Sequence, residues 1–208
     1  MVFRDRVEAG NLLAESLVDV MPDRDNAVVL GIPRGGVIVA AEIARKLGLL
    51  LGVVVTNKIP APGNPEYAIG AVGPDGVVTL NLNSGFTMEE VERLATPVRA
   101  KVQNRRDKYS MSRDAEIDPQ GKDIVLVDDG IATGLTAFAA IDYLKRKWAR
   151  NIVVAVPVIA ADAAQVIRTK GCRLVTLAEP PVFYSVSQFY QSFDQVSDDE
   201  VQKVLAAG

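Results

Sequence analysis

The stretch IVLVDDGIATGLT (Ile124–Thr136) decides the fold of this chain. It begins with four apolar residues, three of them β-branched, which is typical of a strand covered on both faces of a parallel sheet. Two adjacent aspartates follow, then a short loop of small residues and the predicted start of a helix. Gly130 and Gly134 free the backbone of this loop, while Thr133 and Thr136 supply hydroxyls that can cap a helix.

A strand that runs through such a loop into a helix creates a seat for phosphate. The backbone amides converge where the helix dipole is positive, and both effects attract an anion. Asp128 and Asp129 would repel a bare anion at this place, so the ligand must also bring hydroxyl donors or Mg²⁺. The stretch therefore predicts a phosphorylated sugar as ligand, handled with Mg²⁺.

The remaining chain predicts a doubly wound α/β domain. Before the deciding stretch, a strand at 27–31, the loop IPRGG (Ile32–Gly36), a helix at 37–47 and a strand at 51–56 form a βαβ unit. After it, a helix through Phe138 and Trp148 leads to further strands at 152–156 and 173–177, separated by a helix at 161–170. Five parallel strands with helices between them are the expected core.

The middle of the chain is less regular. Residues 59–67 contain three prolines and one glycine and are predicted to form a loop. The segments 68–72 and 77–80 flank the turn GPDG and predict an antiparallel hairpin. Thr87 and Glu90 have the spacing of a capping box, which predicts the start of a helix that ends in a basic cluster at 105–108.

Composition excludes several functional classes. The 208 residues include 23 basic and 26 acidic side chains, so a nucleic-acid partner held by overall charge is not expected. The lone Cys172 excludes an intramolecular disulfide and a cysteine-rich zinc site, and the absence of histidine removes imidazole catalysis. No signal peptide or membrane span is predicted, and a cytoplasmic location is the expectation. Walker A and GxGxxG patterns are absent as well.

The deciding stretch resembles the phosphoribosyl-pyrophosphate (PRPP) motif of type I phosphoribosyltransferases. The loop IPRGG, Lys58 with the segment PGNPE (Pro62–Glu66), and the aromatic tail at 183–193 extend the likeness to a subfamily whose substrate is unassigned. The resemblance implies one domain over 1–208, with a five-stranded parallel core at about 20–58 and 120–178. It also implies a hairpin and helix insertion, or lid, at about 59–119 and a small hood at about 179–208.

The resemblance also implies a role for each site residue. Asp128 and Asp129 would bind the ribose 2′- and 3′-hydroxyls, directly or through Mg²⁺, with Asp129 among the catalytic residues. Arg34 and Lys58 would be catalytic as well, and would bind pyrophosphate together with Gly35 and Gly36. Glu66, in the lid, would contact the acceptor. The 5′-phosphate would be held by Gly130, Ile131, Ala132, Thr133, Gly134, Leu135 and Thr136.

The activity that this implies is Mg²⁺-dependent transfer of the 5-phosphoribosyl group from PRPP to a nitrogenous base or amine. Ala132 stands where members that act on 6-oxopurines carry an acid, which disfavours hypoxanthine–guanine salvage and leaves adenine, a pyrimidine or another amine open. A PRPP sensor without turnover and a phosphosugar hydrolase remain as alternatives. Because the family often forms dimers, a homodimer is expected. The tail aromatics are predicted either to pack or to stack on the acceptor.

Overall fold

The computed structural model describes residues 1–20, 24–110 and 117–207. Within these ranges the strands are β1 (Ala27–Gly31), β2 (Leu50–Val53), β3 (Asn57–Ala61), β4 (Asn64–Val72), β5 (Val78–Leu80), β6 (Asp123–Val127), β7 (Asn151–Val158) and β8 (Arg173–Ala178). The helices are α1 (Arg6–Leu17), α2 (Gly35–Leu47), α3 (Met88–Tyr109), α4 (Leu135–Arg146), α5 (Ala161–Thr169) and α6 (Asp198–Ala207), with a 3₁₀ turn at Val186–Phe189.

Five strands form a parallel sheet in the order β2-β1-β6-β7-β8. Alternate residues of β1 enter different hydrophobic clusters, with Val28 and Leu30 on one face and Val29 on the other. Helices α1, α2 and α6 cover the face of Val29, while α4 and α5 cover the opposite face. Burial on both faces explains why these strands have unbroken apolar sequences. The predicted five-stranded α/β core is confirmed.

The strand order reverses between β1 and β6. These two strands are neighbours in register from Ala27 beside Asp123 to Gly31 beside Val127. The amide of Ile32 continues the ladder by donating to the carbonyl of Val127 over 2.8 Å. Open α/β sheets bind ligands outside the carboxyl ends of the strands at such a switch point. The loops after β1 and β6 therefore start side by side at this position.

Strands β3, β4 and β5 form a separate antiparallel sheet. The predicted hairpin of β4 and β5 is confirmed, since Val72 pairs with Val78. The predicted loop at 59–67 is wrong, because most of it belongs to β3 and β4. Pro60 is tolerated since β3 is an edge strand whose pairing with β4 shifts register on both sides of this residue.

Helix α3 begins with the predicted capping box. The Thr87 hydroxyl accepts from the amide of Glu90 over 3.3 Å, and the Glu90 carboxylate accepts from the amide of Thr87 over 2.8 Å. The basic end of α3 contacts α6, through the pairs Arg105–Asp198 at 3.5 Å and Lys108–Asp199 at 2.8 Å. The basic cluster therefore joins two helices.

Thr87→Ala should lower the free energy of unfolding by about 1 kcal/mol, because the first turn of α3 loses its side-chain acceptor. Urea denaturation measures this change. Thr87→Ser keeps a hydroxyl at the same place and should behave as the unmodified protein. Equal losses in both variants would contradict the capping role.

Trp148 differs from its predicted place on a buried helix face. Helix α4 ends at Arg146, and Trp148 lies beyond it with a φ of 59° and 77% of its surface exposed. Phe138, Ile141 and Leu144 are buried as predicted. None of the helices in the described ranges combines the length and apolarity needed to cross a lipid bilayer.

Candidate functional site

Two adjacent carboxyl groups lie at the end of β6, at the switch point of the sheet. Asp128 and Asp129 are both half-buried, and the amide of Asp129 donates to Oδ1 of Asp128 over 2.9 Å. Nε of Arg6 donates to Oδ2 of Asp129 over 2.7 Å, and these two side chains are only 11% and 14% exposed. No described residue forms an ion pair with Asp128.

Burial raises the pKa of both carboxyl groups. For Asp128 the removal of water is the largest cause, and the negative charge of Asp129 adds to it, so its pKa lies well above the usual range. For Asp129 burial again raises the pKa, and the charge of Arg6 opposes the rise. Asp128 is therefore the acid that gains more from a cation or a hydroxyl donor brought by a ligand.

The raised pKa of Asp128 predicts a pH dependence of stability. The folded chain binds the proton of Asp128 more tightly than the unfolded chain does. Protonation of Asp128 therefore adds to the free energy of unfolding at low pH. This contribution is lost as the pH rises from about 3.9, the unfolded value, through the raised folded value. Asp128→Asn removes the titration, so its melting temperature should exceed that of the unmodified protein by a margin that widens from pH 4 to pH 8.

Thermal melts across this pH range check the prediction. Asp162→Asn is the matched control for the same substitution at an exposed site, since Asp162 lies at the surface in the first turn of α5. A margin for Asp128→Asn that narrows as the pH rises would contradict the assigned direction of the shift.

The loop Ile32–Gly36 after β1 lies directly against the two acids. A Cβ atom on Gly35 would stand 1.8 Å from Oδ2 of Asp129, and one on Gly36 would stand 2.8 Å from Cα of Asp128. Glycine is therefore required at both positions by close approach. The peptide bond between Pro33 and Arg34 is cis, and α2 begins at Gly35.

Arg34 stands at the entrance of α2 with its guanidinium uncommitted. The side chain is half-buried, and no described residue forms a hydrogen bond or ion pair with it. Its charge acts to lower the pKa of Tyr109, although burial and a hydrogen bond to Asp198 raise that pKa by more. Because no described residue pairs with the Arg34 guanidinium, this cation is available to an incoming anion.

The loop after the acids leads into α4 without a side-chain cap. Gly134 is the N-cap, with a φ of 79°, so neither threonine caps the helix. No described residue hydrogen-bonds with the hydroxyls of Thr133 or Thr136, or accepts from the backbone amides of residues 133–136. These donors and the positive end of the helix dipole form an open anion seat.

Lys58 and Glu66 lie in the antiparallel sheet. Lys58 was expected just past a strand of the parallel sheet but is inside β3, paired with Ala71 and exposed. Glu66 is exposed in β4, where its amide donates to the side chain of Asn64 over 3.3 Å. In the described structure, neither side chain forms a hydrogen bond or an ion pair with the acidic loop or the loop after β1.

Both ends of the described chain reach the site, which the sequence reasoning missed. Arg6 also donates from Nη1 to the carbonyl of Asp194 over 2.9 Å, and its guanidinium lies 3.9 Å from the ring centroid of Phe193. The Tyr190 hydroxyl donates to the backbone carbonyl of Asp129 over 2.6 Å. We call Arg6, Tyr190 and Phe193 the terminal clasp. No local pattern could reveal it, because Arg6 and Asp129 are 123 residues apart.

Most aromatic residues of the tail are used in packing. Phe189 and Tyr190 are buried, and Tyr190 stacks at a tilt on Phe3 with a centroid distance of 5.4 Å. Tyr184 differs, being 86% exposed. The tail also reaches the acidic loop, because a Cβ atom on Gly130 would stand 2.4 Å from Cγ1 of Val186.

Comparison with known proteins identifies the family. The family model described as "Phosphoribosyl transferase domain" matches residues 7–191. This chain belongs to the phosphoribosyl transferase family. Two Mycobacterium tuberculosis proteins, from strains CDC 1551 and H37Rv, are both named "Putative phosphoribosyl transferase" and are 40% identical to it over 211 residues. Those matches cover 98% of this chain and 46% of each relative, so the chain spans about half the length of the curated relatives it matches.

Two solved structures share the fold of this chain. The crystal structure of TT1426 from Thermus thermophilus is 40% identical, with a TM-score of 0.85, and the match covers 100% of this chain and 99% of that one. A hypothetical protein from Neisseria gonorrhoeae with bound ppGpp shares the fold at 15% identity, with a TM-score of 0.54 and coverage of 99% and 96%. The expected phosphoribosyl transferase family is confirmed, and so is the expected α/β fold with its five-stranded parallel sheet.

Proposed function

We propose that this phosphoribosyl transferase moves the 5-phosphoribosyl group from PRPP to a nitrogenous base or amine and releases pyrophosphate. One observation carries the proposal: the glycine loop after β1 and the acids after β6 converge at the switch point. A Cβ atom on Gly36 would lie 2.8 Å from Cα of Asp128. A pyrophosphate seat and a ribose seat in such contact suit a ligand that carries both groups.

Each part of PRPP has a matching set of donors or acceptors. The open amides of 133–136 and the hydroxyls of Thr133 and Thr136 suit the 5′-phosphate. Asp128 and Asp129 suit the ribose 2′- and 3′-hydroxyls as acceptors. The uncommitted guanidinium of Arg34 and the backbone of Gly35–Gly36 suit the pyrophosphate.

The acidic pair also fits Mg²⁺. Carboxylate oxygens are the ligands this hard cation prefers, and it usually keeps several waters and binds to phosphates of the substrate. The described residues contain no cluster of three or more His, Cys, Asp or Glu side chains, so Asp128 and Asp129 would hold the ion directly or through water, together with ligand oxygens. When bound, Mg²⁺ would neutralise pyrophosphate charge.

The chemistry places modest demands on the side chains. The C1–oxygen bond of PRPP breaks with its electron pair leaving on pyrophosphate, and the acceptor nitrogen donates a pair to C1 and then loses a proton. Arg34 would stabilise the leaving pyrophosphate, and Asp129 would hold the ribose as positive charge develops on its ring. Lys58 would join them on closure of the β3–β4 hairpin. A chain without histidine can run this reaction.

The hairpin of β3 and β4 is the proposed lid. Residues 62–67, at the tip of the hairpin, are exposed, whereas residues 68–72 of β4 are buried. The exposed tip therefore extends from a base that is packed into the protein. Glu66 lies in the exposed part and would contact the acceptor. We assign β3, β4, β5 and α3 to the insertion and residues 179–207 to the hood of a single domain. We also propose that the protein is cytoplasmic and forms a homodimer.

The test is pyrophosphate release from Mg²⁺–PRPP across a panel of bases and amines, with calorimetry of PRPP binding. Turnover with one acceptor class is the expected result. Binding without turnover would favour a sensor, and release without any acceptor would favour a hydrolase. One observation favours the sensor: Asp129, a proposed catalytic residue, is already engaged in an ion pair with Arg6.

A further inference from the structure

Arg6 brings a second cation to the loop that follows β1. A Cβ atom on Gly35 would stand 2.8 Å from Nε of Arg6, so the guanidinium touches the loop as well as Asp129. This cation comes from the first residue of α1, an element outside the five-stranded sheet. It therefore lies beside the proposed pyrophosphate seat although no sequence motif includes it.

The guanidinium of Arg6 is held in one orientation. Nε donates to Oδ2 of Asp129 over 2.7 Å, Nη1 donates to the carbonyl of Asp194 over 2.9 Å, and the plane lies over Phe193. Contacts in three directions fix the group before any ligand arrives. A preorganised donor loses little conformational entropy when it binds an anion.

One nitrogen of this group remains available. Nη2 shares an edge with Nε, and no described residue accepts a hydrogen bond from it. It is not sealed in the interior, because in the described ranges only Oγ1 of Thr56 is a fully buried side-chain polar atom without a partner. The free N–H groups can therefore reach a ligand.

The charges at the switch point require this cation. Asp128 and Asp129 together place two negative charges where a polyanionic ligand must bind. Arg6 offsets one of them through its ion pair with Asp129. Without Arg6 a buried carboxylate would face the pyrophosphate across Gly35, which would weaken binding of that anion.

We infer that Arg6 is a pyrophosphate-binding residue, which neutralises Asp129 through Nε and offers Nη2 to a pyrophosphate oxygen. The inference rests on the proposed PRPP site. It assigns the terminal clasp a function in ligand binding beyond packing.

Calorimetry with two probes tests the inference: inorganic pyrophosphate with Mg²⁺, and ribose 5-phosphate. Arg6→Gln should weaken pyrophosphate binding by about 10- to 100-fold, the loss typical of a charge-assisted hydrogen bond. Ribose 5-phosphate binding should weaken by clearly less, because Arg6 reaches the ribose site only through its ion pair with Asp129. Arg4→Gln is the matched control, because the Arg4 side chain is exposed and, among the described residues, forms an ion pair only with the neighbouring Asp5. It should leave both affinities unchanged.

The outcomes separate the inference from the proposed function. Equal losses for both probes would show that Arg6 only shapes the site and would overturn the inference, as would unchanged pyrophosphate binding in a folded variant. Failure of the unmodified protein to bind either probe or PRPP would overturn the proposed function itself. If Arg6→Gln does not fold, Arg6→Lys keeps the charge but loses the second donor edge, and the same split between probes at about 3- to 10-fold is expected.

Discussion

The double variant Asp128→Asn with Asp129→Asn is expected to bind Mg²⁺–PRPP at least about 100-fold more weakly than the unmodified protein. Each carboxylate would accept a ribose hydroxyl or a metal-bound water, and a hydrogen bond to a charged group contributes about 1.5–3 kcal/mol. Two such losses correspond to about 10²- to 10⁴-fold in affinity. Isothermal calorimetry gives the dissociation constants directly.

Stability should change much less than affinity in this double variant. Burial raises the pKa of both carboxyl groups, so neutral amides remove the cost of burying two carboxylates near neutral pH. Loss of the ion pair between Arg6 and Asp129 opposes this gain, because it leaves a partly buried guanidinium without its carboxylate. The double variant should therefore stay folded at pH 7 and melt below Asp128→Asn. Asp162→Asn is again the control for an exposed acid. Retained PRPP affinity in the folded double variant would show that the acids do not form the ribose site.

Gly36→Ala is expected to abolish PRPP binding and to destabilise the fold. The added methyl group would meet Cα of Asp128 and the carbonyl oxygen of Val127, both at 2.8 Å, and backbone atoms cannot move aside as a flexible side chain can. Overpacking of this kind costs about 1–3 kcal/mol, or about 2–12 °C in melting temperature for a domain of this size. Differential scanning fluorimetry and PRPP calorimetry measure the two effects.

Gly171→Asn is the control for this substitution. Gly171 has a φ of 71°, which asparagine tolerates, and a Cβ atom there meets nothing within 4 Å. The control should melt within about 2 °C of the unmodified protein and keep its affinity for PRPP. Normal PRPP binding by Gly36→Ala would mean that the loop after β1 can shift without consequence, contrary to a tightly built site.

The fold core could be predicted because its signals are local. The apolar run at 124–127 lies within β6, and the strand prediction at 27–31 coincides with β1. Burial on both faces makes such strands apolar throughout, which a single sequence reveals. The loops after both strands follow from the same signals, since glycine marks close backbone approach.

The second sheet and the terminal clasp could not be predicted in the same way. Prolines in β3 and β4 indicated a loop, yet an edge strand with shifted register accommodates Pro60. Trp148 has the spacing of a helix face but lies past the helix end. Arg6 has the sequence appearance of an ordinary residue in a first helical turn. Its partner is determined only by the tertiary fold.

The terminal clasp makes the site depend on cooperative folding of the whole domain. Asp129 receives contacts from Arg6, 123 residues before it, and from Tyr190, 61 residues after it. A segment limited to the deciding stretch and its neighbouring strands would carry the acids without these partners. Ligand binding at Asp129 should therefore slow amide hydrogen exchange in α1 and in the tail as well as in the loops that touch the ligand.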